Sequence, residues 1–334
     1  MRGFRVGIVN PFAPFSMKIR ELISERKLPI IELKLLEIRS DGGSSMTEFQ
    51  DEVVITQPFD EDLFPHLDVL FIGGDETEGL GDKARAAAEQ NVLTIVSNVP
   101  DVESSFILPT ETPKTLAGEN RLLVVARPPS VLLGTVLSAL AKKHAIRRAC
   151  GTVMVPASAM GKRGVEELHE QVVKMLNFQE GPTNVFPTQL AFNLMLPSGT
   201  DRKTGQLDDA VAKEAAAIAG IDAEVSVMMV QAPVFHGYAL SLWIQLKDQV
   251  EEGRLIKALD ESGQIDTTST KEPATASPVS VADSERIHVG SVRRDTSAKG
   301  AYWFWIVADA LAVDTAVHAV RTAERMLGVV QGEA

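Results

Sequence analysis

The sequence predicts an α/β fold in two domains, and three observations carry that reading. The chain has 334 residues, enough for two cores at roughly 100–200 residues per domain. Through about residue 127, short apolar runs alternate with segments of helical periodicity. Beyond residue 128, a long apolar helix leads into strand-like segments of period two.

The elements follow in order. Arg5-Val6-Gly7-Ile8-Val9 is an apolar run closed by turn residues, the pattern of a buried strand. Ser16 is placed to cap a helix running to about Lys27. Strands are expected at 33–38 and at 68–72, the latter ending in Gly73-Gly74. A helix over 84–90 and strands at 93–97 and 122–125 complete the first half. Strands joined by helical crossovers make a parallel sheet of the Rossmann, dinucleotide-binding type. The second half offers a helix at 132–143, a strand at 149–155 and a polar helix at 165–178. Strands at 225–231, 238–246 and 288–292 then point to a mixed or antiparallel sheet in an α+β domain. Residues 267–284, rich in Thr, Ser, Pro and Ala, read as a surface loop or flexible segment. The expected domains are 1–127, completed by a C-terminal helix at 311–330, and 128–310.

Composition narrows the function classes. Hydrophobic residues make up 45% and charged residues 23%, as in ordinary globular proteins. A net charge of −12 argues against nucleic acid as a partner. The short basic cluster Lys142-Lys143-His144 with Arg147 and Arg148 reads as the solvated end of a helix. The single cysteine, Cys150, cannot form an internal disulfide, and metal-ligand spacing is missing. Within its apolar strand Cys150 reads as an inert core thiol. The N-terminus enters a strand without an apolar signal region, and no run of about 18 apolar residues suggests a membrane span. A cytoplasmic location is expected.

Several motifs, in one order along the chain, carry a resemblance. Phe186-Pro187-Thr188-Gln189-Leu190-Ala191-Phe192-Asn193 resembles the F-P-x-Q-[IL]-A-F-N segment of aspartate-semialdehyde dehydrogenases. Gly164-Val165-Glu166-Glu167-Leu168 looks like that family's segment after its acid/base strand. Ala232-Pro233-Val234-Phe235-His236-Gly237-Tyr238 is similar to V-P-V-F-R-G-H, and Val289-Gly290-Ser291-Val292-Arg293-Arg294-Asp295 to V-G-R-I-R-R-D. Trp305-Ile306-Val307-Ala308-Asp309 resembles the closing W-V-V-A-D-N-L. The resemblance implies a Rossmann-type domain plus an α+β dimerisation and catalytic domain of the glyceraldehyde-3-phosphate-dehydrogenase-like type. It also implies NADP-dependent reduction of aspartyl phosphate. In that reaction a cysteine forms a thioester, a histidine moves protons, an arginine holds the substrate carboxylate and a glycine-rich loop holds the cofactor.

At those positions this sequence departs. Where the family has G-x-x-G-x-x-G, it has Asn10-Pro11-Phe12-Ala13-Pro14-Phe15-Ser16. Prolines remove N–H donors that a pyrophosphate needs, and the phenylalanines add bulk where it should lie. Arg39-Ser40 and Gly73-Gly74 resemble surviving NADP-contacting positions. The nucleophile position falls in Arg127-Pro128-Pro129-Ser130-Val131, on Ser130 or Val131. Ser130 has an adequate structural job as a helix N-cap. The family histidine maps to Tyr238, a poor base at neutral pH. The family arginine maps to Gln231, which brings no charge, and its second arginine to His236. The family glutamine maps near Val155. Asp208, beside Asp209, falls near an acidic substrate-contacting position and also suits the first turn of a helix. Ala310 and Asp314 stand where the family has asparagine and glycine.

What survives reads as architecture. Arg293, Arg294 and Asp295 suit a charged network, and Gln189 and Asn193 suit buried backbone groups. Trp243, Trp303 and Trp305 suit a core or a subunit interface. The leading expectation is a divergent, Usg-type homologue that lacks the family's catalytic cysteine and keeps a homodimer. The alternatives are an NAD(P)-dependent oxidoreductase with an altered substrate, and a small-molecule sensor using the interdomain cleft.

Overall fold

The computed structural model describes residues 3–38, 45–50, 52–73, 79–97, 99, 102, 105–107, 121–197 and 206–329. The chain divides into two compact units, Met1–Arg127 with Asp314–Ala334, and Pro128–Val313. The first holds β1 (Phe4–Val9), α1 (Pro14–Glu25), β2 (Ile30–Glu37), β3 (Met46–Phe49), β4 (Glu52–Ile55) and β5 (Gln57–Pro58). It continues through β6 (Val69–Ile72), α2 (Leu80–Glu89), β7 (Leu93–Val96), β8 (Ser105–Ile107) and β9 (Leu122–Val125). The second holds α3 (Pro128–Ala141), β10 (Ile146–Val155), α4 (Gly161–Leu176), α5 (Gln206–Ala219), β11 (Glu224–Gln231) and β12 (Tyr238–Leu246). It closes with α6 (Glu252–Asp260), β13 (Ile265–Asp266), β14 (Ile287–Arg294), β15 (Ala301–Ala308) and α7 (Ala310–Val313), and α8 (Thr315–Met326) returns the chain to the first unit.

The first unit is built on a seven-stranded sheet in the order β5-β2-β1-β6-β7-β9-β8. Every pairing in it is parallel. Parallel strands need cover on both faces. On one face Val6, Ile8, Leu35 and Val69 pack against Ile19 and Ile23 of α1 and Ala319 and Val320 of α8. On the other, Val9, Leu36, Leu70 and Ile72 meet Leu80, Ala84 and Ala87 of α2. This matches the parallel, Rossmann-like expectation. The strand order reverses between β1 and β6, where such sheets open a crevice at the carboxyl ends of their strands.

The second unit carries a six-stranded mixed sheet, β11-β10-β12-β15-β14-β13. Helices α3, α5 and α6 cover one face. Gly134 of α3 lets α5 approach closely, because a Cβ there would stand 2.7 Å from Ile218. Helix α4 holds a long irregular segment. The buried Glu167 carboxylate accepts backbone N–H groups from Asn184, Val185 and Phe186 at 2.7, 2.8 and 2.9 Å. One turn on, Gln171 accepts from Leu190 and Ala191 and donates to the Pro182 carbonyl. The Phe186–Asn193 motif is thus fixed by side chains supplying hydrogen bonds that a strand or helix would otherwise supply.

Several sequence expectations are corrected. Ser16 does not cap α1: Ala13 holds that position, Pro14 opens the first turn, and Ser16 donates to the Val9 carbonyl. Proline at the first helical position presets the backbone there, which leaves the serine one turn inside. The closing helix is two: α7 ends at Val313, and the Asp314 carboxylate caps α8 by accepting from Ala316 and Val317. The boundary between units falls at that cap. Residues 267–284 are a packed strap of short 3-10 turns rather than a free loop, with Ala276 and Val281 buried against Ala239 and Val307. Cys150 is exposed, not in the core. Its strand is apolar on both faces, but alternation turns this residue away from the helices. Lys142 and Lys143 follow α3 as read, whereas Arg147 and Arg148 belong to β10.

The charged motif at the end of β14 is less a network than a set of separate contacts. The Arg293 guanidinium lies over the Trp303 ring, and the Trp243 indole N–H donates to Asp295. The Trp305 indole N–H donates to the Ala276 carbonyl. None of the three tryptophans is fully buried, and of them Trp305 packs, partly buried, against the cluster of Ala239, Ala276, Val281 and Val307. Asp295 is pulled down to about 2 by the Ser297 backbone N–H and hydroxyl first, and then by Trp243.

Two outcomes follow. Replacing Glu167 with Ala leaves three backbone donors without their acceptor, that of Phe186 buried, and about 3 kcal/mol of stability is expected to be lost. Glu167→Gln keeps an acceptor oxygen and loses less; urea unfolding of both variants measures the difference. A carboxyl depressed in the fold contributes stability that is complete above its ordinary value of 3.8 and lost as pH falls through about 2. A carbon NMR titration should therefore put the Asp295 midpoint near 2, and Ser297→Ala should move it upward.

Candidate functional site

The first candidate region is the switch point between β1 and β6. Asn10 follows β1 in the left-handed region, with φ of 51°, a conformation asparagine tolerates better than most residues. It ties three strand ends together. Its N–H donates to Leu36 at the end of β2, its side-chain amide reaches the Gly73 carbonyl after β6 at 3.3 Å, and its own carbonyl accepts from Ala13. Phe15, on the first turn of α1, has its ring against Gly73. A Cβ on Gly73 would fall 2.3 Å from the ring, so the phenylalanine by itself requires glycine here.

A dinucleotide pyrophosphate needs free N–H groups and open backbone at this place. Pro11 and Pro14 have no N–H, the Ala13 N–H is spent on Asn10, and the approach over Gly73 is taken by Phe15. The residues present do not fit the pyrophosphate in the usual way. Phe12 stands half exposed beside them. Of the expected cofactor positions, Gly73 is therefore engaged internally, while Arg39, Ser40 and Gly74 lie outside the described residues.

The second region contains the positions of the expected chemistry. Ser130 is not a cap; it sits inside α3, fully buried, and its hydroxyl donates to the Glu214 carboxylate at 2.6 Å. The prolines at 128 and 129 start the helix earlier than the apolar pattern implied. Glu214 is itself buried. Sequence reading missed it, although one signal was there: Val211, Glu214 and Ile218 share a stripe at helical spacing, and an acid on that stripe needs a partner. Carboxylate and hydroxyl are adjacent, yet an ordinary glutamate is far too weak a base to hold a serine as alkoxide.

Gln231 is buried, and its side-chain amide donates to the Val155 carbonyl, which lies opposite it in the parallel pairing of β10 and β11. Tyr238 is buried at the start of β12. The turn between them is fastened to the segment after β10, with Ala157 and Ser158 donating to the Val234 and Phe235 carbonyls. Only His236 of this group is exposed. Asp208 lies in the first turn of α5, accepts the Met229 N–H at 3.3 Å, and has its pKa raised chiefly by burial. It anchors α5 to β11. The structure thus places Ser130, Gln231 and Tyr238 in the interior and leaves His236 apart. No cluster of His, Cys, Asp or Glu suited to a metal exists among the described residues, and no described helix is long and apolar enough to cross a membrane.

A parallel sheet with a strand-order reversal, followed by a mixed sheet backed by helices on one side, defines a two-domain protein of the dinucleotide-binding class. Residues 137–313 match the semialdehyde dehydrogenase dimerisation domain, and the chain belongs to that family. An aspartate-semialdehyde dehydrogenase of Rickettsia bellii is 25% identical over 98% of each chain. A USG-1 protein homolog of Azotobacter vinelandii is 24% identical over 96% of this chain and 97% of its own. The crystal structure of aspartate semialdehyde dehydrogenase II from Vibrio cholerae superposes with a TM-score of 0.83 at 23% identity, covering 98% of this chain and 99% of that one. The shared fold is that of a Rossmann-like domain joined to an α/β dimerisation domain.

The contact between Phe15 and Gly73 sets a direct test. Gly73→Ala should destabilise the protein by about 1–3 kcal/mol through overpacking. Adding Phe15→Ala should recover part of that loss, since residues in contact couple. A double-mutant cycle in urea reads the coupling.

Proposed function

We propose that this chain is a non-catalytic member of the semialdehyde dehydrogenase family that acts as a homodimer and does not run the family's NADP-dependent reduction. The observation that carries the reading is the Phe15 ring on Gly73 at the switch point. In this reading the ring stands in the way of a pyrophosphate, in a loop where Pro11 and Pro14 have no N–H and the Ala13 N–H is spent on Asn10. The interior positions of Ser130, Gln231 and Tyr238 support it, because a group that must meet substrate cannot spend its polar atoms on the core. The dimer is supported by the matched dimerisation domain. A cytoplasmic location goes with the reading, as a chain with one thiol needs no oxidising compartment.

A second reading, an oxidoreductase acting on another acyl phosphate or aldehyde, draws on one observation, the hydrogen bond from Ser130 to Glu214. It requires dinucleotide affinity. Calorimetry of the purified chain with NADP(H) and NAD(H) separates the two, and no heat of binding is expected. An assay of aspartate-semialdehyde oxidation with phosphate and NADP should show no turnover. Clear turnover abolished by Ser130→Ala would overturn the first reading in favour of the second.

A further inference from the structure

The end of the strap at 267–284 brings a serine against a histidine. The Ser284 hydroxyl lies 2.7 Å from His288 Nε2. Both residues are half-buried, with Asp283, Glu285 and Arg286 exposed beside them.

Local structure holds each partner in place. His288 sits on β14 between buried Ile287 and Val289, in register with Val307 of β15 on one side and Asp266 of β13 on the other. Ser284 closes the strap. Its N–H donates to the carbonyl of buried Val281, and Asp283 before it takes a left-handed φ of 62°, which aspartate tolerates better than most residues. The Ser284 oxygen accepts the Arg286 N–H at 3.2 Å, and the hydroxyl has one proton to give. Its two acceptors are His288 Nε2 at 2.7 Å and the Arg286 carbonyl at 3.5 Å. The shorter contact takes the proton when Nε2 is the bare ring nitrogen.

The charges around the ring suit that state. Burial pulls His288 below its ordinary value, against the opposing pull of Asp266 and with a smaller push from Arg286, so the ring is neutral at neutral pH. Burial pushes the Asp266 carboxyl up, but the Thr268 hydroxyl and N–H outweigh it and hold it below its usual range. A charged carboxylate opposite a histidine favours the imidazolium that forms once a proton arrives.

We propose that Ser284 is a nucleophile activated by His288 as general base, and that the pair takes acyl groups from activated carboxylic esters. The Ser284 Oγ bonds to the ester carbonyl carbon as its proton passes to Nε2; the bond from that carbon to the leaving oxygen then breaks, and the leaving oxygen takes the proton. Water next attacks the acyl-serine while giving a proton to Nε2, and that proton returns to Oγ as the acid departs. No dinucleotide enters the sequence, and Ser130, Gln231 and Tyr238 have no part in it. The inference thus goes beyond the function proposed above and does not depend on it.

A pair that only fastened the strap would serve as well with another hydrogen-bonding side chain, and the experiment turns on that difference. The full chain is treated with an alkyl fluorophosphonate, whose P–F bond a serine oxygen displaces, and its hydrolysis of p-nitrophenyl acetate is followed in parallel. The phosphonyl adduct should map to Ser284 by mass spectrometry and be absent from Ser284→Ala. His288→Gln keeps a hydrogen-bonding partner for the strap but supplies no base, and should slow both reactions by about a hundredfold or more. In the wild type both rates should hold through neutral pH and fall only below the ordinary histidine value of 6.5, as the ring gains its proton. No adduct, an adduct on another residue, or a folded His288→Gln variant that reacts at the wild-type rate would overturn the proposal. If neither variant folds, the wild-type adduct map and pH profile decide alone.

Discussion

A doubly wound parallel sheet leaves backbone unmet where its strand order reverses, and everything in the first unit is arranged around how that gap is satisfied. In dinucleotide-binding proteins a ligand and a glycine-rich turn share the work. Here Asn10 and Phe15 take part in it. Asn10 joins the ends of β1, β2 and β6, and Phe15 lies on Gly73. The loop is held by its own contacts, with Pro14 opening α1 and the Phe15 ring against Gly73, while Phe12 stands half exposed. A glycine-rich loop depends on its ligand for order; this one carries its filling with it.

In the second unit, too, polar side chains serve the packing. Ser130 binds Glu214 across two helices, Gln231 binds the Val155 carbonyl across two strands, and Glu167 gathers three backbone N–H groups. Each polar side chain has an internal partner and a buried setting, which is how interiors retain polar groups. Buried polar residues keep a place if they complete the packing of backbone around them. The mixed sheet adds an asymmetry of its own, helices on one face and a half-covered opposite face.

Much of the fold was legible in the sequence, because periodicity and turn residues are local signals. The strands at Leu122–Val125 and Tyr238–Leu246 stand where their patterns put them. The strand Ala301–Ala308 was read only as part of a motif, since an unbroken apolar and aromatic run has no period to detect. The site was less legible. The loss of donors in Pro11 and Pro14 could be read directly, because proline lacks an N–H in any context. The partners of Ser130 and Gln231 could not, since Glu214 and Val155 come from distant parts of the chain. The exposure of Cys150 was missed because composition says a strand is apolar without saying which face has cover. Arg39, Ser40 and Gly74 lie outside the described residues.

Helix α8 joins a unit whose other elements all precede residue 128. Ala316, Val317, Ala319, Val320 and Ala323 belong to the same cluster as Val6, Ile8 and Leu35, and Arg26 of the α1 end holds buried Glu324 through two hydrogen bonds. During synthesis the early strands therefore emerge long before the helix that walls one side of them. The contiguous Pro128–Val313 unit has all its parts first, although it begins later. The order of translation and the order of completion run opposite ways, and the nascent first sheet must wait, one face bare, until α8 has left the ribosome.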